Sequence, residues 1–147
     1  MNMKTMTRAA LAALAAVVLS AAAVGAWAQD KVVYHIDDTE GQATKALRNI
    51  RNHLDTAPDT KIVVVTHANG IDFLLSDAKD KKNPNIDYPS LVNALKSRGV
   101  SFEICEITIK GRNLKKDQFV MDADFTPSGV VRITQLQQKE HFAYIKP

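Results

Sequence analysis

The stretch that most constrains the fold is KIVVVTHA, Lys61–Ala68. Ile62, Val63, Val64 and Val65 are four β-branched apolar residues in a row. A strand with one face in water alternates apolar and polar residues. A continuous run needs cover on both faces, as in the middle of a parallel sheet. Parallel neighbours need crossover connections, usually helices, so the run predicts an α/β architecture.

The flanking segments fit that frame. KVVYHID (Lys31–Asp37) reads as a first strand. In the segment after it, Ala43, Ala46, Leu47, Ile50 and Leu54 share one helical face. Thr39 and Gln42 have capping-box spacing there, and Pro58 and Asp59 end the helix. NGIDFLLSDAK (69–79) predicts a second helix, and DYPSLVNALKSRG (87–99) a third, with Asp87 as cap, Pro89 in the first turn and Gly99 as stop. VSFEICEIT (Val100–Thr108) predicts the third strand, and GRNLKKDQFV (111–120) a short helix. DADFTPSG (122–129) is ambiguous and has room for a short fourth strand. SGVVRITQLQQKE (128–140) reads as a helix and HFAYIKP (141–147) as the last strand. The expectation is a three-layer α/β sandwich with a mainly parallel sheet of about five strands.

The first 28 residues stand apart. Lys4 and Arg8 are their only charges, Ala9–Val24 is apolar except for Ser20, and Ala26-Trp27-Ala28 is an A-x-A site. This is the layout of a secretory signal peptide, cleaved before Gln29. The rival is an uncleaved anchor, since the apolar run lies near the lower limit of about 17 residues for a spanning helix. No cysteine follows the run, so a lipoprotein anchor is excluded. The expected mature chain is residues 29–147, one domain, exported to the periplasm, with no stable membrane insertion. Losing Lys4 and Arg8 takes the net charge from +3 to +1. No basic stripe interleaved with aromatics is present, so nucleic acid is not an expected partner.

Cys105 is the only cysteine. Small exported domains often rely on disulfides. Here no internal one can form. The thiol is then buried and inert, bonded to another chain, or reactive. In sheets of this type ligands bind beyond the carboxyl ends of the strands. His35 lies near the end of the first strand, His67 at the end of the second and Cys105 toward the end of the third. A doubly wound order of 2-1-3 would make these strands neighbours. Cations and imidazoles favour a thiolate, and Lys110, Arg112, Lys115 and Lys116 follow Cys105. Arg112 is the strongest candidate of the four, because it sits at the strand-to-helix turn. Two histidines and a cysteine also suit zinc or copper, but no pair has metal-ligand spacing, so no metal ligand is assigned. Asp37 and Asp38 supply an acid beside His35, yet no nucleophile elbow is present. Neither a P-loop nor G-x-G-x-x-G occurs, so no nucleotide or other cofactor is expected.

Six segments in this order, VVYHIDD, LRNIRNHLD, KIVVVTHANGIDFLL, RGVSFEICEITIKGR, PSGVVRITQLQQKE and AYIKP, resemble the DsrE/DsrF-like sulfur-relay family in its small exported branch. The resemblance implies a flavodoxin-like fold and a homo-oligomer, commonly a trimer or hexamer. It implies that Cys105 carries sulfur as a persulfide and passes it to a partner; on this chain's own residues, the expected donor is a small anionic sulfur compound and the expected acceptor a thiol. Supporting roles for His35, His67 and Arg112 rest on their positions in this chain alone. The alternatives are a non-enzymatic oligomeric binding module with a structural cysteine, and a His/Cys metal-binding protein.

Overall fold

The computed structural model describes residues 29–121 and 123–147; the expected leader lies outside them. Five strands form one sheet: β1 (Lys31–Asp38), β2 (Lys61–Asn69), β3 (Ser101–Cys105), β4 (Asp124–Thr126) and β5 (Ala143–Ile145). Their spatial order is β4-β3-β2-β1-β5, and every ladder pair is parallel. The α/β expectation therefore holds, with KIVVVTHA in the centre. The expected 2-1-3 order does not. β3 pairs with β2, so Cys105 neighbours His67 and lies two strands from His35.

The helices follow from this order. They are α1 (Thr44–Thr56), α2 (Tyr88–Lys96), α3 (Glu106–Gly111) and α4 (Gly129–Glu140). The crossovers from β1 through β4 all step the same way. Right-handed connections then put α1, α2 and α3 on one face. Their apolar stripes pack on Val32, Tyr34, Ile36, Ile62, Val64, Phe102 and Ile104 in the larger core. The connection from β4 to β5 steps back across the sheet, so α4 lies on the other face. There Ile133 and Leu136 cover Val33, Val63 and Val65, with Phe142. Strand residues alternate between faces, which sends His35, His67, Glu103 and Cys105 to the α4 side.

Several boundaries differ from the sequence reading. The segment after β1 enters a single π turn, Thr39–Ala43, before α1 begins. Asp38, not Thr39, caps it through Gly41 N–H, while the Thr39 hydroxyl donates to the Asn69 carbonyl and accepts from Phe73 N–H. In place of a helix over 69–79 stands one 3-10 turn, Asp72–Leu74. The apolar periodicity there is real, since Ile71, Phe73 and Leu74 are fully buried. The backbone, however, bends away to bridge Leu75 to Phe119 and Lys79 to Asp87. Residues 111–120 likewise hold only a 3-10 turn, Lys116–Gln118. The third strand ends at Cys105, three residues early, because α3 starts at Glu106. Asp87 caps α2 as expected, and Gly99 follows that helix with a left-handed φ of 88°.

Among the described residues, no buried side-chain nitrogen or oxygen lacks a hydrogen-bond partner. Glu103, the buried charge on the α4 face, takes a two-pronged pair from Arg132, with Nε to Oε2 at 2.8 Å and Nη2 to Oε1 at 3.0 Å. Arg132 also reaches Glu140 at 2.6 Å. This network fastens α4 to β3.

Candidate functional site at the carboxyl edge of the sheet

Cys105 occupies the residue just before α3, in extended conformation (φ −69°, ψ 116°). That is the N-cap position, where a side chain meets the free N–H groups of the first helical turn. The sulfur is faced by the N–H groups of Ile107 and Thr108, by the Thr108 hydroxyl, and by Gly129 N–H at the start of α4. In the thiol form these contacts lack the geometry of a regular capping hydrogen bond. Burial pushes the thiol pKa up, but the Gly129 and Thr108 N–H groups, the Thr108 hydroxyl and Ile107 N–H together pull it below its ordinary value. The Thr108 hydroxyl is directed, since it accepts from Ala68 N–H at 3.1 Å and so points its own hydrogen elsewhere. Gly129 permits the close approach of α4. A Cβ there would stand 3.2 Å from His67 Cβ and 3.4 Å from Cys105 Cβ.

The histidines form a separate centre next door. Along β1 and β2 the register is regular from Lys31↔Lys61 to Ile36↔Thr66, then slips so that Asp38 pairs with Asn69. The extra residue is a bulge at His67–Ala68, and Ala68 has a φ of 49°. Bulges re-aim side chains. Here His67 turns toward β1, and its Nε2 lies 2.7 Å from His35 Nε2. His35 Nδ1 lies 2.7 Å from the Tyr144 hydroxyl on β5. Burial first, then Lys146 and His67, lower the His35 pKa to about 4. Burial also lowers that of His67. Both rings are therefore neutral near pH 7 and lend no positive charge to a thiolate. Asp37 completes the cluster. It accepts from Gln42 Nε2 at 2.8 Å and pairs with Lys146 at 2.6 Å.

Arg112 is elsewhere. Its guanidinium pairs with Asp72 at 2.6 Å and donates to the Ala68 carbonyl at 3.3 Å. It lines a cleft of about 430 Å³ with Asp38, Asp72, Asp80, Lys81 and Tyr88. That cleft is crossed by its own polar contacts, Lys81 to Glu40 and Asp80 to Thr44 and Tyr88. Lys116 is occupied by Glu106. The structure thus brings His35 to His67, sets Cys105 beside His67 on the same face, and keeps Arg112 apart. The sequence reading passed over Thr108, Gly129 and Tyr144. Cys105-x-x-Thr108 has the spacing of an N-cap and its N3 residue, a signal hidden because the segment reads as strand. Gly129 opens an apolar run, but nothing local says what it packs against.

A parallel doubly wound sheet with a thiol at the residue before α3, on its carboxyl edge, places the chain among small α/β proteins. Within that class the chain belongs to the DsrE/DsrF-like family, whose sequence pattern matches residues 4–147. Among solved structures, the fold resembles a protein of unknown function, MTH1491, from Methanobacterium thermoautotrophicum. The TM-score is 0.71 at 29% identity, over 81% of this chain and 100% of that one. It also resembles the ychN protein of E. coli, with a TM-score of 0.67 at 11% identity and the same coverage, a likeness of fold alone. No curated protein matches the chain.

Proposed function

We propose that the protein is a sulfur carrier that holds sulfane sulfur on Cys105. One observation carries the reading: Cys105 stands immediately before α3 with the start of α4 packed against it at Gly129, so N–H groups of two helix starts and the Thr108 hydroxyl favour its anion. Such an arrangement raises the thiolate fraction and serves equally a persulfide, which is anionic near neutral pH. The Cys105 thiolate attacks the outer sulfur of a small anionic donor. With thiosulfate, the new S–S bond forms as the old one breaks, and sulfite leaves with the bonding electron pair. An acceptor thiolate then takes the outer sulfur and returns Cys105 as thiolate. No outside oxidant or reductant is needed. Exposed Ile107 (65%), Val130 (57%) and Val131 (52%) stand in the first turns of α3 and α4. They support docking of the acceptor or of a second copy in a homo-oligomer. The A-x-A leader pattern supports a periplasmic setting. Among the described residues, no helix is long and apolar enough to cross a membrane.

The test is the intact mass of the reduced mature protein after exposure to polysulfide, beside Cys105→Ser. Added sulfur that a reductant removes and the variant lacks supports the carrier. No gain on a folded, reduced protein defeats it for that donor. A second reading has its own observation, the 5% exposure of Cys105, which suits a binding module with a structural thiol. Native labelling that is slow and becomes fast only in denaturant would favour that module.

A further inference from the structure

The strand order reverses between β1 and β5, the place where doubly wound sheets build their ligand sites. His35 and Asp37 on β1, His67 on β2, and Tyr144 and Lys146 around β5 all meet there. One ligand-competent atom from each of His35, Asp37 and His67 falls within 4.8 Å of the others. We propose that His35 Nε2, His67 Nε2 and an Asp37 oxygen form a binding site for a borderline divalent metal ion of the zinc class. The remaining coordination is left to water or a small ligand.

Four features support a built site. Two imidazoles and a carboxylate are a ligand set this ion class takes. The two Nε2 atoms face each other across 2.7 Å, so both imidazoles are already aimed at one point. The outer nitrogen of His35 is engaged by the Tyr144 hydroxyl, and Asp37 is oriented by Gln42. Ligating side chains are commonly steadied by such outer partners. Finally, the strained Ala68 and the bulge serve to aim His67 at His35. Without metal the cluster closes on itself, with one N–H···N bond at 2.7 Å and Lys146 against the carboxylate. Two nitrogens about 2.0–2.1 Å from one tetrahedral ion stand roughly 3.3 Å apart. Loading therefore needs the rings to part by about 0.6 Å from their 2.7 Å contact and Lys146 to swing out. The Lys146 side chain is partly exposed. Cys105 is not a member of the cluster among the described residues, so this proposal and the sulfur reading fail separately.

The experiment is titration of the full mature protein with Co²⁺, followed by Zn²⁺ displacement. The expected result is one Co²⁺ per chain with visible ligand-field absorption, unchanged in Cys105→Ser. Tyr144→Phe should weaken binding about 10- to 100-fold, as loss of an outer partner does. His35→Ala and His67→Ala should weaken it more, and Lys146→Gln should tighten it. No stoichiometric uptake, uptake that survives in the His35→Ala/His67→Ala double variant, or uptake lost in Cys105→Ser would each overturn the site. Imidazole ¹⁵N spectra of the unaltered protein guard against misfolded variants. Zn²⁺ must move His35 and His67; movement only at His53 and His141 also overturns the site.

Discussion

Thr108→Val is the sharpest probe of the thiol environment. The substitution keeps the side chain's shape and the Thr108 N–H, and removes only the hydroxyl that faces the Cys105 sulfur. A hydrogen bond to a charged group contributes about 1.5–3 kcal/mol. At 1.36 kcal/mol per tenfold, the thiolate population below the pKa should fall roughly 10- to 150-fold. The more basic thiolate is also a better nucleophile, with a Brønsted coefficient of about 0.4–0.5. That recovers nearly half of the effect on a logarithmic scale. Alkylation by iodoacetamide at a fixed pH below the thiol pKa should therefore slow by about 4- to 15-fold. The pH at half-maximal thiolate ultraviolet absorbance should rise. Thr108→Ser retains the hydroxyl and should behave as the parent, which separates the lost donor from any disturbance of Ala68 N–H, the group that donates to the same oxygen. An unchanged titration in a folded Thr108→Val protein, or a fall in the midpoint, would refute the idea that these donors set the thiol's acidity.

Three further outcomes are expected. Gly129→Ala forces a methyl to within 3.3 Å of the Thr66 carbonyl oxygen and 3.2 Å of His67 Cβ; it should cost about 1–3 kcal/mol in urea denaturation and slow alkylation of Cys105, by pushing Gly129 N–H off the sulfur. Arg132→Ala leaves Glu103 buried without its partner and should cost about 3 kcal/mol, read as a large drop in Tm, whereas a surface ion pair such as Arg98–Asp55 should cost under about 1 kcal/mol. The folded chain holds His35 at about 4 against an ordinary 6.5, so between these values the unfolded state binds the extra proton. Stability should therefore fall as pH drops from about 6.5 to about 4 and be indifferent to this group above 6.5; the urea midpoint against pH should show this slope, and His35→Gln should flatten it.

The parts of the fold that local pattern controls were readable in advance. Ile62–Val65 could only be a doubly covered strand, and the stripe Ala46, Leu47, Ile50 and Leu54 could only be one face of a helix. Strand order was not readable, because β3 reaches the far side of β2 or of β1 by crossovers of the same hand and similar length. The helix expected over 69–79 failed for a tertiary reason. A Cβ at Gly70 would lie 2.2 Å from the Ile36 carbonyl oxygen, so the chain there is held against β1 and turns sharply into a 3-10 turn. The site divides the same way. His35, His67 and Cys105 were visible as chemical residues at strand ends. The bulge that joins the histidines, the helix that starts on the cysteine, and the pairing that draws Arg112 to Asp72 depend on register and long-range packing, which no local window contains.

The backward crossover has a consequence in time. β5 pairs with β1 across a sequence gap of more than a hundred residues, and the Tyr144–His35 contact spans 109 positions. A chain emerging from its amino end makes His35, His67 and Cys105 while α4 and β5 are still unwritten. The larger core can gather around β1, β2 and β3 at that stage, but the opposite sheet face is bare. Gly129 N–H, Arg132, Tyr144 and Lys146 all lie within residues 129–147, and they complete both the surroundings of the thiol and the histidine cluster. Completion of both sites thus waits on α4 and β5. A product truncated before α4 would keep Cys105, Thr108 and both histidines yet lack Gly129 N–H, Tyr144 and Lys146.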